Sequence, residues 1–272
     1  MQFSAILLLE RPSSITLCQI ESELKRLAPG ATLGDWRGSP DLAAIPGPEM
    51  ISVNGEPMSV LNIPAPAETK IIERGHFANH IWPTVEVDVA KHNAHIFITA
   101  ARNTTDRESA LAQARAVTLL AAAVARLVPL IGVKWVDGSN SMDAKGFIKA
   151  TENIGRPDAN AVPFWVRVML YREPSRGDQV KMIGGTLGLY FFGLMDLEYP
   201  EAPLEPQFIM QHAYSTSEYL LRSRKTLQDG ETIGVESQSL VFKVSYAKDG
   251  LFIPFPVARL SLVKERKKWW RW

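Results

Sequence analysis

Apolar residues fill positions 3–9 almost without a break, which predicts a buried strand. Thr16-x-x-Gln19 supplies a capping box. Leu17, Ile20, Leu24 and Leu27 then recur on one helical face until Pro29-Gly30 stops the helix. Residues 34–49 are rich in Gly, Pro and Asp and predict a loop. Asn54-Gly55, between apolar segments at 50–53 and 58–63, predicts a hairpin. Pro64-Ala65-Pro66 closes it, a short helix is expected over 68–74, and residues 95–100 predict a short strand. Thr105-x-x-Glu108 forms a second capping box and opens a helix to residue 128. Leu111, Ala114, Val117, Leu120, Ala121, Val124 and Leu127 surround that helix, so it is expected to lie buried against a sheet. Pro129 ends it and residues 130–136 return as a strand.

Residues 137–163 read as a junction, with Asp137-Gly138-Ser139-Asn140, a short helix around 142–151 and a turn at Gly155-Arg156-Pro157. Strands follow at 164–172 and 180–192, a helix at 206–225, and strands at 239–247 and 257–263. Strands in runs, joined by hairpins and backed by helices, predict an α+β protein with antiparallel or mixed sheets rather than a doubly wound fold. The order strand–helix–hairpin occurs in both halves, which suggests two loosely similar halves packed together. The expected division is an N-terminal α+β half over 1–137, a C-terminal α+β half over 138–263, and a basic, Trp-rich tail over 264–272.

Composition narrows the function classes. A chain of 272 residues, 46% hydrophobic and 22% charged, supports a sizeable core. The formal net charge of +1 gives no electrostatic case for nucleic acid. One cysteine, Cys18, rules out a disulfide within the chain and any multi-cysteine metal site. The first apolar run has neither a basic leader nor a small-residue cleavage site, so it reads as a strand and not a signal peptide. Residues 116–136 carry Arg126, Pro129 and Lys134, so their uncharged run is too short for a bilayer. A cytoplasmic protein is expected.

The segment 164–234 carries the most specific motifs: Trp165-Val166, Gly185-Thr186-x-Gly188, Gly193, Asp196-Leu197-Glu198, Tyr219-Leu220-Leu221 and Asp229-Gly230-Glu231-Thr232-Ile233-Gly234. In these residues the chain resembles the bacterial domain-of-unknown-function 4261 family. The N-terminal order is also similar: a strand, a helix, an Asn-Gly hairpin ending in Ile63-Pro64, then Trp82 and a His95-containing strand before the long helix. The resemblance implies a bacterial cytosolic protein with no assigned activity. Families of this kind often sit beside secreted-toxin systems, so the resemblance implies an immunity or partner-binding role.

His76 and His80 have the i,i+4 spacing of a zinc-protease helix, but Phe77 stands where the glutamate belongs. Asp88, His92 and His95 form a looser set; neither set has a convincing third and fourth ligand. Cys18 lies near a helix start but off its apolar stripe, and reads as inert. Gly184-Gly185-x-x-Gly188 sits inside a strand pattern and lacks the Gly-Lys-Ser/Thr of a phosphate loop, so it marks a bulge or a close packing contact. Asp229-Gly230 is expected to end the preceding helix on a left-handed glycine. Asp196 and Glu198 share one face of a strand, expected to be a solvated edge.

No catalytic residue, metal or cofactor is assigned. The preferred reading is a non-enzymatic protein-binding protein, an immunity-type inhibitor of a bacterial toxin or effector. Asp196, Glu198, Asp229, Glu231, Trp269, Trp270 and Trp272 are its expected partner surface. The alternative is a metal-assisted or acid–base enzyme using the His76–His95 region or the carboxylates Asp196, Glu198, Asp229 and Glu231.

Overall fold

The computed structural model describes residues 3–37, 48–68, 82–104, 106–136, 140–156, 158–173, 181–202, 204–235 and 240–265. The fold is α+β, and the chain divides into two compact units, Met1–Trp165 and Val166–Trp272.

In the first unit the strands are β1 (Ser4–Leu9), β2 (Leu33–Arg37), β3 (Glu49–Val53), β4 (Glu56–Ile63), β5 (Ala94–Ala100), β6 (Leu130–Trp135) and β7 (Ser141–Asp143). They form one sheet in the order β2-β3-β4-β5-β1-β6-β7, and every pairing is antiparallel. The unbroken apolar run of β1 lies between β5 and β6, and all six of its residues are buried. Asn54 and Gly55 take the left-handed backbone (φ 54° and 79°) that the tight turn between β3 and β4 requires.

Among the described residues, the helices of this unit are α1 (Leu17–Leu27), α2 (Val85–Val89), α3 (Arg107–Ala125), α4 (Ala144–Ala150) and α5 (Val162–Trp165). Thr16 and Gln19 close the expected capping box on α1. Helix α3 packs on α1, α4 and the central strands, with residues 119–125 all buried, as its apolar surround predicted. It starts one residue later than its sequence suggested. Asp106 caps it by accepting from the Ser109 amide at 2.9 Å, because a carboxylate is the stronger acceptor for an exposed first-turn N–H. Its other end is held by Arg126, whose guanidinium donates to the carbonyls of Ala122 and Ile148 and to Thr151 Oγ1.

Three expectations change here. Residues 34–37, read as loop, belong to the edge strand β2, because pairing with β3 outweighs their weak strand propensity. The segment 138–165, assigned by sequence to the second half, lies within the first unit. Its strand β7 pairs with β6, and α4 packs on β6 and α3. The short helix expected over 68–74 lies, beyond Glu68, outside the described residues.

In the second unit, β8 (Arg167–Glu173), β9 (Lys181–Leu187), β10 (Asp196–Ala202), β11 (Thr232–Val235), β12 (Leu240–Ala247) and β13 (Val257–Glu265) form a mixed sheet in the order β11-β12-β13-β10-β9-β8. Only β10 and β13 pair in parallel among the described strands. Helix α6 (Pro206–Ser223) packs on β8, β9 and β10. It ends on Arg224, itself left-handed (φ 58°), so Gly230 is not its cap; Gly230 (φ 79°) serves instead the turn from Gln228 to Glu231. Residues 189–192, expected as strand, wind into a 3₁₀ turn. No helix among the described residues is long and apolar enough to cross a membrane.

The glycines of β9 explain how this sheet is covered. A Cβ on Gly184 would fall 2.8 Å from Ile209 of α6, and one on Gly185 would fall 2.8 Å from the Phe252 ring. Neighbouring strand residues face opposite sides. One face therefore takes α6 and the other takes the loop 248–256, each at glycine-limited distance.

Candidate functional site

The second unit presents two distinct features, one on each face of its sheet. On the loop face, Glu198 is 1% exposed and opposite Gly185. Its Oε2 accepts from Arg259 Nε at 2.8 Å, and its Oε1 accepts from the Leu251 amide. Arg259 also donates to the Asp249 carbonyl at 3.1 Å. One buried carboxylate thus ties the first half of the loop to the sheet, directly at Leu251 and through Arg259 at Asp249. The Gly250 amide further braces the loop by donating to the carbonyls of Ile253 and Phe255. Pro254 and Pro256 narrow its backbone freedom.

The braced loop carries aromatic rings. Phe252 stacks on Tyr171 with centroids 4.8 Å apart, and Phe255 stacks on Tyr190 at 5.2 Å. Tyr171, Tyr190 and Phe255 remain 43–46% exposed and Leu251 is 52% exposed. These side chains form an apolar ledge facing solvent.

On the helix face, a groove of about 580 Å³ lies between α6, the segment 225–227 and β11. His212, Thr216, Tyr219 and Leu220 line it from the helix, and Glu231 to Gly234 line it from the sheet. His212 is 6% exposed and Tyr199 is fully buried. Tyr199 Oη lies 2.6 Å from His212 Nδ1, and the imidazole packs on Phe242 with centroids 4.5 Å apart. Burial pushes the His212 imidazole down to about 4 and the Tyr199 phenol well above its ordinary range. Both are neutral at pH 7, and the phenol and Nδ1 share one hydrogen bond.

Asp196 behaves oppositely. Its buried carboxylate accepts from Thr186 Oγ1 at 2.8 Å, the Leu189 amide at 3.0 Å and the Tyr190 amide at 3.3 Å, fixing the 3₁₀ turn that carries Tyr190. Burial pushes its carboxyl up to about 6, against these hydrogen bonds.

The two titrations have opposite signs. His212 binds its proton less readily when folded, so the stability it contributes is present above pH 6.5 and lost as pH falls toward 4. Asp196 binds its proton more readily when folded, so its contribution is full below pH 3.8 and lost as pH rises through 6. The difference in stability between wild type and His212→Gln is therefore expected to fall by roughly 3 kcal/mol from pH 7 to pH 4. Urea denaturation across that range measures it, and a pH-independent difference would contradict the assignment.

The residues singled out by sequence are placed as follows. Asp196 and Glu198, expected on a solvated partner surface, are each 1% exposed. Both are covered and hydrogen-bonded, so they frame the ledge and do not form its surface. Asp229 and Glu231 are exposed and make turn contacts: Asp229 Oδ1 accepts from the Tyr246 amide at 2.9 Å, and Glu231 Oε2 from the Gln228 amide at 2.9 Å. Trp269, Trp270 and Trp272 lie outside the described residues, as do His76 and His80. Cys18 is exposed and free.

Asp88, His92 and His95 have separate partners. Thr84, Lys91 and Trp82 donate to Asp88 and hold its carboxyl well below the usual range. His92 Nε2 accepts from the Ala67 amide at 2.9 Å, and His95 Nδ1 lies 2.8 Å from the Ala65 carbonyl. No group of three or more His, Cys, Asp or Glu is arranged to hold a metal among the described residues.

Sequence reasoning missed His212, Tyr199 and the loop 248–256. A signal existed for the first: His212 follows Ile209 by three and precedes Thr216 and Leu220 by four and eight, the spacing of an inward helix face. The run Leu251-Phe-Ile-Pro-Phe-Pro was a second signal, apolar yet too proline-rich for a central strand.

Residues 185–260 match the family described as Domain of unknown function (DUF4261), which bears out over that segment the resemblance drawn from its motifs. The matched segment contains Glu198, His212, the groove and the aromatic loop. No curated protein and no solved structure matches the chain.

Proposed function

We propose that this protein is a non-enzymatic, cytoplasmic binding protein that holds a protein partner against the aromatic ledge of its second unit, as an immunity-type inhibitor of a bacterial toxin or effector does. The observation that carries this reading is the ledge itself. Tyr171, Tyr190, Leu251 and Phe255 are all more than two-fifths exposed; Tyr171 stacks on the half-buried Phe252, Tyr190 and Phe255 stack on each other, and the Leu251 amide is held by Glu198. Exposed aromatics of this kind favour protein partners, since each buries much area at little rotamer cost. The buried Glu198 and Asp196 fix the loop and the 3₁₀ turn beforehand, so little ordering entropy is lost on association. The choice of a toxin or effector as the partner follows from the family resemblance alone.

Affinity purification from the native host, read by mass spectrometry, tests the reading. A stoichiometric protein partner is expected with wild type. Tyr190→Ala and Phe255→Ala, both at exposed positions, should each weaken it about tenfold or more while leaving the fold intact. Recovery of no partner by wild type, or undiminished binding by both variants, counts against it.

A further inference from the structure

We infer that the groove between α6 and the free edge of β11 docks an extended segment of a partner protein, which joins the sheet as an added strand. This site is separate from the ledge and lies on the other face of the sheet.

Among the described residues, strand β11 ends the sheet and pairs only with β12, through Thr232↔Lys243, Ile233↔Phe242 and Gly234↔Val241. The Val244 amide donates to the Glu231 carbonyl at 2.8 Å, and the Val244 carbonyl accepts from the Gly230 amide at 2.9 Å while the Glu231 amide turns to Gln228, so Val244 faces a hydrogen-bonded pair position bulged at Gly230, with the Glu231 carbonyl directed at β12. Such pairs alternate in an antiparallel ladder. Ile233 therefore turns its N–H and C=O to β12, and Thr232 and Gly234 turn theirs outward. Both residues are exposed, and nothing among the described residues bonds to those outward groups. Two N–H donors and two carbonyl acceptors thus stand in ladder spacing beside a groove.

The groove selects among occupants. Leu220, Leu227 and Ile233 supply apolar lining, and Thr216, Thr226 and Tyr219 add hydroxyls. Lys225 and Glu231 contribute one charge of each sign, and His212 is neutral at pH 7. Such lining is electrically balanced and suits an uncharged peptide backbone better than an anion or a cation. An extended segment satisfies the four outward groups and places every second side chain in the groove. The predicted ligand is a neutral, extended peptide with apolar residues at alternate positions.

Heptapeptides displayed on phage and selected on the full-length protein provide the probe. The enriched peptides should carry apolar residues at alternate positions, bind in the micromolar range and protect the Thr232 and Gly234 amides from hydrogen exchange. Gly234→Pro removes one outward N–H and leaves the Ile233 groups that face β12 in place; its Cβ would fall 3.2 Å from the Leu240 carbonyl, so hydrogen exchange of the β12 amides accompanies the measurement, and with that ladder intact the selected peptides should weaken about tenfold. Tyr219→Ala, at an exposed groove position, should weaken them with the fold unchanged. Tyr190→Ala should leave peptide binding as it is, which separates this site from the ledge. Failure to enrich any peptide, or equal binding by Gly234→Pro and Tyr219→Ala, overturns the inference. So does a groove filled by the chain itself. Self-association abolished by Gly234→Pro would assign the edge to a second copy. Tighter peptide binding after removal of residues 266–272 would assign it to the chain's own C-terminus.

Discussion

Glu198→Ala is expected to destabilise the second unit by about 3–5 kcal/mol, as breaking a buried ion pair from one side does. The carboxylate is 1% exposed, and its loss leaves the Arg259 guanidinium and the Leu251 amide without their acceptor. Arg259 retains some exposure and its bond to the Asp249 carbonyl, which places the effect toward the lower end. The loop 248–256 loses its tie to the sheet in the same step, so the ledge should lose partner affinity beyond what either tyrosine contributes. Urea denaturation gives the stability term, and hydrogen exchange at Leu251 reports the loop. A destabilisation under about 1 kcal/mol would mean that the pair is no more than a surface salt bridge.

Trp82→Ala is expected to cost about 3–5 kcal/mol in the first unit. The indole is 2% exposed and packs with Ile6, Leu8, Ala67, Val85 and Val89 on the sheet. It presses so closely on β6 that a Cβ on Gly132 would fall 2.3 Å from its ring. Its Nε1 also donates to Asp88 at 3.0 Å, which fastens the turn leading into α2. Trp82→Phe should cost less, because it retains most of the apolar volume and loses the hydrogen bond. Equal destabilisation by the two variants would assign the effect to the hydrogen bond and not to the cavity.

The two predictions differ in how far the sequence announced them. The tryptophan was visible as one member of an order of motifs, but its glycine partner fifty positions on was not. The carboxylate was visible as one of an alternating pair, and its environment was inferred wrongly. Alternation alone says which strand residues share a face; it is silent on what covers that face. Glycine at 185 was readable as a close-packing site, and the structure supplies the Phe252 that approaches it. The histidines drew attention at 76–95 because they crowd in sequence, whereas the buried one is the isolated His212, brought to Tyr199 by a helix crossing the sheet.

Local signals were sufficient for the α+β class, for the capping box at Thr16, for the Asn54-Gly55 turn and for the all-round burial of the second half of α3. Each depends on residues two to four positions apart, within reach of one turn or one strand. Tertiary structure alone decided that 34–37 pair as an edge strand, that 138–165 join the first unit, and that Glu198 is buried beneath a loop 53 residues away. It also decided that β11 is left with an open edge beside a groove. The physical reason is that periodicity fixes a residue's direction within its own element, whereas burial depends on which distant segment closes over it.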